Sequence, residues 1–233
     1  MVHTSNFLRS LSKKWTRHVV LSGVVASMVL TGMQPTQSVS PAMAAPQLIL
    51  GSGNVDSDKP RRPFMLETGM GETFGDQDLL GKFTLIYFGY TFCPDVCPTS
   101  MMTMTDILNQ LGDDAKVITP IFISVDPDRD TLAILRDYAN AFHPKIIGMT
   151  GPKVMVDAAV DAYNARYKFI PSEDGDPMGY SVDHTASIAF VGPNGRIVTR
   201  FGHGKPLDEI LFEIKATLSQ HQKLVKILKE KAK

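Results

Sequence analysis

The sequence predicts an α/β domain built on a central mixed sheet flanked by helices. Three observations carry this. Short apolar runs rich in β-branched and aromatic residues recur, such as FTLIYF at 83–88 and VITPIFISV at 117–125. Between them lie longer stretches whose apolar residues repeat every three or four positions. Near the end, a Pro193-Asn194-Gly195 turn joins two runs too closely spaced for a helical crossover.

In chain order, residues 83–88 sit between Gly81 and Gly89 and read as a buried strand. From Pro98 to Leu111, Met101, Met104, Ile107, Leu108 and Leu111 fall at helical spacing, and Gly112 supplies the stop. Residues 117–125 make a second buried strand. Thr131 to Phe142 is a second helix, halted ahead of Pro144. Ile146 to Met149 is a short third strand, and Pro152 to Tyr167 a third helix. Thr185 to Val191 and Arg196 to Phe201 form an antiparallel hairpin. The last helix runs from Pro206 to Gln220 and leads into a basic tail carrying Lys223, Lys226, Lys229, Lys231 and Lys233. Buried runs joined by helical crossovers pair in parallel, and the closing hairpin adds antiparallel strands. This topology is compatible with a thioredoxin-like fold.

The 233 residues carry 24 Lys+Arg and 24 Asp+Glu. Zero net charge excludes the basic footprint of a protein that grips nucleic acid through many phosphates. An apolar fraction of 43% with 21% charged residues is that of a globular chain rather than a disordered one. The neutrality averages unlike parts. Residues 1–55 contain Arg9, Lys13, Lys14 and Arg17 and no acid, whereas from Asp56 onward 20 basic residues face 24 acidic ones, a net of −4. The basic start precedes an apolar run from Val19 to Met33, about 22 Å long as a helix, against a hydrocarbon core of about 30 Å. With Ala42-Met43-Ala44 before Ala45, residues 1–45 read as a secretory signal. A retained anchor with Trp15 at the interface, or a mitochondrial presequence, fits the same residues. All three place the remainder outside the cytoplasm. Residues 46–62 form a linker, with Pro46 to Gly51 as a short strand within it. Residues 63–222 form one domain with ample core, and residues 223–233 the tail.

The chemistry centres on Thr91-Phe92-Cys93-Pro94-Asp95-Val96-Cys97-Pro98, which holds both cysteines of the chain between the first strand and the first helix. A helix beginning near Pro94 would put both sulfurs on its first turn, where free N–H groups and the positive dipole end favour thiolate. Thiolates serve both disulfide exchange and metal binding. A merely structural bridge would close a loop of about five residues and contribute roughly 2 kcal/mol, so a redox pair and a metal pair are the alternatives that matter. The spacing is one residue longer than the Cys-x-x-Cys of thioredoxin-type oxidoreductases, and Phe92 stands where those enzymes carry Trp. Two thiolates alone suit copper(I); an imidazole as third ligand admits copper(II) as well. Among the histidines, His143 before Pro144 suits a helix cap, His221 lies in a polar, solvated helix, and His203 sits in a Gly-His-Gly loop. His184, in Val182-Asp183-His184-Thr185, precedes a strand expected beside the first strand and so faces the cysteine turn. Asp183 could orient its ring as a hydrogen-bond acceptor. Met101, Met102 and Met104 carry soft thioethers, but helical spacing assigns Met101 and Met104 to the core.

Four motifs, Cys93-Pro-Asp-Val-Cys97-Pro98, Ser124-Val-Asp-Pro-Asp-Arg-Asp-Thr131, Phe142-His-Pro144 and Val182-Asp-His-Thr185, resemble in order and spacing those of the SCO/SenC family. The resemblance extends from about Phe64 to Leu218. It implies a thioredoxin-like fold and a copper chaperone that helps assemble the binuclear copper centre in subunit II of cytochrome c oxidase. It implies Cys93 and Cys97 as thiolate ligands and redox pair, and His184 as imidazole ligand, to one copper ion, Cu(I) or Cu(II). The implied partners are that subunit, an upstream copper donor or thiol reductant, and the membrane if the N-terminal segment is retained. The implied location is the periplasm or the periplasmic face of the inner membrane, or else the mitochondrial intermembrane space. Asp126, Asp128 and Arg129 fall in the family's acidic loop, where docking or tuning of the site and plain turn chemistry are alternative roles. A thiol–disulfide oxidoreductase that keeps the oxidase subunit's cysteines reduced is the rival reading of the same pair.

Overall fold

The computed structural model describes residues 63–232. The expected leader and linker, with the short strand at Pro46 to Gly51, lie outside the described residues. Strands β1 (Met65–Thr68) and β2 (Thr73–Gly75) come first. Then β3 (Phe83–Gly89), α1 (Val96–Leu111), β4 (Ile118–Ser124), α2 (Leu132–Phe142), β5 (Ile147–Thr150) and α3 (Lys153–Ala162) alternate as the sequence predicts. β6 (Tyr167–Ile170) and β7 (Ser181–His184) form a separate two-stranded sheet, and β8 (Ser187–Val191), β9 (Ile197–Gly202) and α4 (Leu207–Lys231) follow.

The main sheet has the strand order β2-β1-β5-β4-β3-β8-β9. Strands β3, β4 and β5 are parallel, while β1 opposes β5, β8 opposes β3 and β9 opposes β8. Flanked by its helices, this mixed sheet is the expected thioredoxin-like arrangement. The uninterrupted apolar run of β3 follows from its place: it lies between β4 and β8, and all seven of its residues are buried. Helix α1 buries Met101 and Met104 completely, so both belong to the core, while Met102 is exposed. Thr131 caps α2, its hydroxyl accepting the Ile134 N–H at 3.4 Å.

Several elements differ from expectation. The β1–β2 hairpin is not marked in the sequence, because its strands are only four and three residues long and β1 exposes Met65 while burying Thr68. Helix α3 stops at Ala162, not Tyr167: Asn164 adopts φ 47°, and the Ala165 N–H returns to the Val160 carbonyl at 2.9 Å, a left-handed C-terminal cap built on Asn. That frees Tyr167 to start β6. Helix α4 continues to Lys231 through residues read as a tail. Leu224, Val225 and Leu228 extend its apolar spacing, and the lysines favour its C-terminal end. Among the described residues, no helix is long and apolar enough to cross a membrane.

Candidate metal centre

Both cysteines lie where β3 gives way to α1. The chain turns after Gly89: the Cys93 N–H donates to the Tyr90 carbonyl at 3.3 Å, and the Thr91 N–H donates to the Asp130 carboxylate at 3.0 Å. Asp130 is fully buried and also accepts the hydroxyls of Thr91 and of Ser124 at the end of β4. A buried carboxylate thus ties the cysteine loop to the central sheet.

Helix α1 begins at Val96 with Asp95 as its N-cap, later than the start expected near Pro94, and the two sulfurs differ as a result. Cys93 precedes the helix, is half-buried, and its Sγ accepts the N–H of Cys97, a first-turn donor, at 3.4 Å. Cys97 lies inside the first turn with 0% exposure, and burial pushes its thiol up to about 12. The expectation that the helix N-terminus favours thiolate at both positions is therefore overturned for Cys97, where desolvation outweighs the dipole. Both are free thiols. Room for the Cys97 sulfur comes from Gly89, where a Cβ would stand 2.8 Å from Sγ.

His184 is the last residue of β7. Because β8 lies against β3, the chain between β7 and β8 returns beside the cysteine turn, as expected. Its Nε2 stands 3.2 Å from Cys97 Sγ. Tyr87 and Tyr90 hold the ring edge-to-face, with centroids 6.0 and 5.9 Å away. Burial pulls the imidazole below its usual range, so the ring is neutral at pH 7, the form that ligates. Its Nδ1 is buried, and among the described residues no side chain bonds to it. Asp183, expected as the acceptor that orients this ring, is instead exposed and sits across from Lys168 in β6. The two tyrosine rings do the orienting.

One ligand atom from each of Cys93, Cys97 and His184 lies within 4.8 Å of the others, and among the described residues no fourth His, Cys, Asp or Glu joins them. Structural zinc sites call for four protein ligands. Two sulfurs and one neutral imidazole make a three-ligand set whose softness suits copper.

Residues 54–219 match the family SCO1/SenC. The chain belongs to the SCO1/SenC family. It is 37% identical to human "Protein SCO1 homolog, mitochondrial" over 163 residues, 69% of this chain and 54% of that protein, so it spans about half the length of this relative. The SCO2-like protein of Rickettsia felis is 38% identical over 146 residues, 63% of this chain and 71% of that one. The structure of Bradyrhizobium japonicum ScoI with copper bound has a TM-score of 0.60 at 40% identity, covering 66% of this chain and 96% of that one.

The remaining residues singled out in this SCO1/SenC chain fall away from the cluster. His143 serves as a cap, its Nδ1 accepting the Lys145 N–H at 3.1 Å. His203 is exposed, 3.4 Å from Ser100 Oγ. His221 is not solvated: it is half-buried, edge-to-face on Phe83 at 5.2 Å. Asp128 is exposed. Asp126 is fully buried, paired with Arg129 Nε at 2.6 Å and accepting the Tyr180 hydroxyl at 2.7 Å, so it offers no docking surface.

Arg129 bridges the two sides of the site. It is 8% exposed, and one terminal nitrogen donates to the carbonyls of Met178 (3.0 Å) and Tyr180 (2.8 Å). Its guanidinium lies 3.6 Å from the Tyr180 ring centroid and 5.0 Å from that of Phe92. It therefore fastens the segment entering β7, which ends in His184, to the residue preceding Cys93. The one signal in the sequence is an arginine set between two aspartates of an otherwise acidic run.

Proposed function

We propose that this SCO1/SenC protein is a copper metallochaperone. Reduced Cys93 and Cys97 with neutral His184 bind one copper ion and deliver it to, or prepare, the binuclear copper centre in subunit II of cytochrome c oxidase. The observation that carries the reading is the three-ligand cluster within 4.8 Å; the copper-bound ScoI relative supports it. The two thiolates suffice for copper(I), and the imidazole completes a set that also accepts copper(II). Half-buried Cys93 leaves one side of the ion open, so a recipient's ligand bonds to copper as a chaperone ligand departs. Residues 1–45, as signal or anchor, direct residues 63–222 to the periplasm or the intermembrane space; the human relative, named as mitochondrial, fits this. The copper itself comes from an upstream donor.

Titrating the reduced full chain with copper(I) under native mass spectrometry is expected to give one ion per chain. Cys93→Ala and Cys97→Ala should lose it, while His184→Ala keeps copper(I) and loses the copper(II) complex. One-to-one binding that survives in Cys93→Ala would overturn the reading.

The unequal burial of the sulfurs favours a second use of the pair, as a thiol–disulfide reductant of the same subunit. The Cys93 thiolate attacks the partner's disulfide, forming a mixed disulfide and releasing one partner thiol. Cys97 then loses its proton and attacks Cys93, releasing the second thiol, so the partner gains two electrons and two protons while the pair becomes a disulfide. His184→Ala should spare this reduction.

A further inference from the structure

Charge in this protein is segregated. Residues 63–218 hold 12 Lys+Arg against 21 Asp+Glu, a net of −9. Residues 219–233 hold Lys223, Lys226, Lys229, Lys231 and Lys233 against Glu230 alone. Almost all of this basic stretch is the end of α4, which runs on to Lys231 beyond its last core residue, Leu218, and beyond the contact of His221 with Phe83. Residues three and four apart share a helix face. Leu224, Ile227 and Leu228 make one such group, exposed by 37%, 47% and 58%. Lys226 and Lys229 lie on the other side, Lys223 borders the aliphatic stripe, and Lys231 ends it on the same face.

We propose that the end of α4 lies on an anionic lipid surface, with Leu224, Ile227 and Leu228 entering the boundary between headgroups and acyl chains and the lysines engaging headgroup phosphates. Charge selects this occupant. Among the described residues, an anionic bilayer repels residues 63–218, net −9, and attracts this end, so contact also orients the domain, its acidic remainder facing away. Side-chain chemistry favours lipid over a protein groove. Protein interface cores are enriched in Trp, Tyr and Arg and depleted in Lys, whereas this stretch has aliphatic side chains and lysines, whose long stems reach from an apolar layer to phosphate.

The test uses the full chain, so that whatever the leader does is common to every arm. Trp15 is the single tryptophan; in a Trp15→Phe chain, Leu228→Trp makes the end of α4 the only reporter. In vesicles of phosphatidylglycerol with phosphatidylcholine, its emission is expected to shift to the blue and to be quenched by brominated acyl chains. Both effects should vanish in phosphatidylcholine alone and reverse at high salt. Each of Lys223→Gln, Lys226→Gln and Lys229→Gln should weaken the response by about fivefold. A reporter that stays in water on anionic vesicles overturns the proposal. So does a blue shift present without anionic lipid and indifferent to salt, which would mean that another segment of the chain, a second copy or a protein partner covers the stripe.

Discussion

Cys93 and Cys97 are four positions apart, yet their surroundings assign them different chemistry. Burial holds the Cys97 thiol above the usual thiol range, whereas Cys93 is half-buried and faces an N–H donor. At pH 8, iodoacetamide should therefore label Cys93 and spare Cys97 until the chain is unfolded, as read by peptide mass mapping; equal labelling of the folded protein would contradict this assignment. The same sulfur explains Gly89. A methyl there would stand 2.8 Å from Cys97 Sγ and 3.0 Å from a ring carbon of Phe122, and both would have to move. Gly89→Ala is expected to cost about 1–3 kcal/mol in urea unfolding and to weaken copper(I) binding, because the displaced atom is a ligand. The motif spacing made both cysteines legible as a pair. Their inequality was not legible, because burial of Cys97 depends on Gly89 in β3 and on His184 at the end of β7, not on its sequence neighbours.

Among the elements, the segment from Asp126 to Thr131 does more than turn the chain. Arg129 grips the carbonyls of Met178 and Tyr180 and faces the ring of Phe92, so one planar guanidinium joins the strand that delivers His184 to the loop that delivers Cys93. Lysine keeps the charge but not the fork. Arg129→Lys should therefore weaken the copper(II) complex, which needs the imidazole, by about 10–100-fold, while copper(I), held by two thiolates on the α1 side, changes little. Visible absorption and paramagnetic resonance of the copper(II) form would show the split; equal loss of both oxidation states would point to general unfolding instead. Strands β3, β4 and β8 and helices α1 and α2 were readable from periodicity. Strands β1, β2, β6 and β7 were not, because each is three or four residues long and none is an unbroken apolar run like the Ile146 to Met149 stretch that marks β5, and the end of α3 turns on an Asn rather than a Gly.

At the scale of the molecule, Asp130 connects the active loop to the sheet by accepting from Thr91 and Ser124 while having no cation of its own among these contacts. Burial raises its pKa above the usual carboxylate range. The sign follows: between about 3.9 and the raised folded value, the folded chain holds a proton that the unfolded chain has lost, so this group's contribution to stability grows as pH falls through that window. Asp130→Asn should thus cost more near pH 4 than at pH 7, measured as the difference in urea midpoint from the parent chain at each pH. A constant difference would show that Asp130 does not titrate there.

By itself the sequence determined the α/β class, the cysteine pair and its histidine candidate, because apolar period and residue spacing are local quantities written along the chain. Only the tertiary structure decided that His184 Nε2 comes within 3.2 Å of a sulfur 87 positions away, that two tyrosine rings rather than Asp183 hold it, and that one thiol is buried and the other half-open. Distances and desolvation of that kind belong to the packing of β8 against β3 and of α1 onto the sheet.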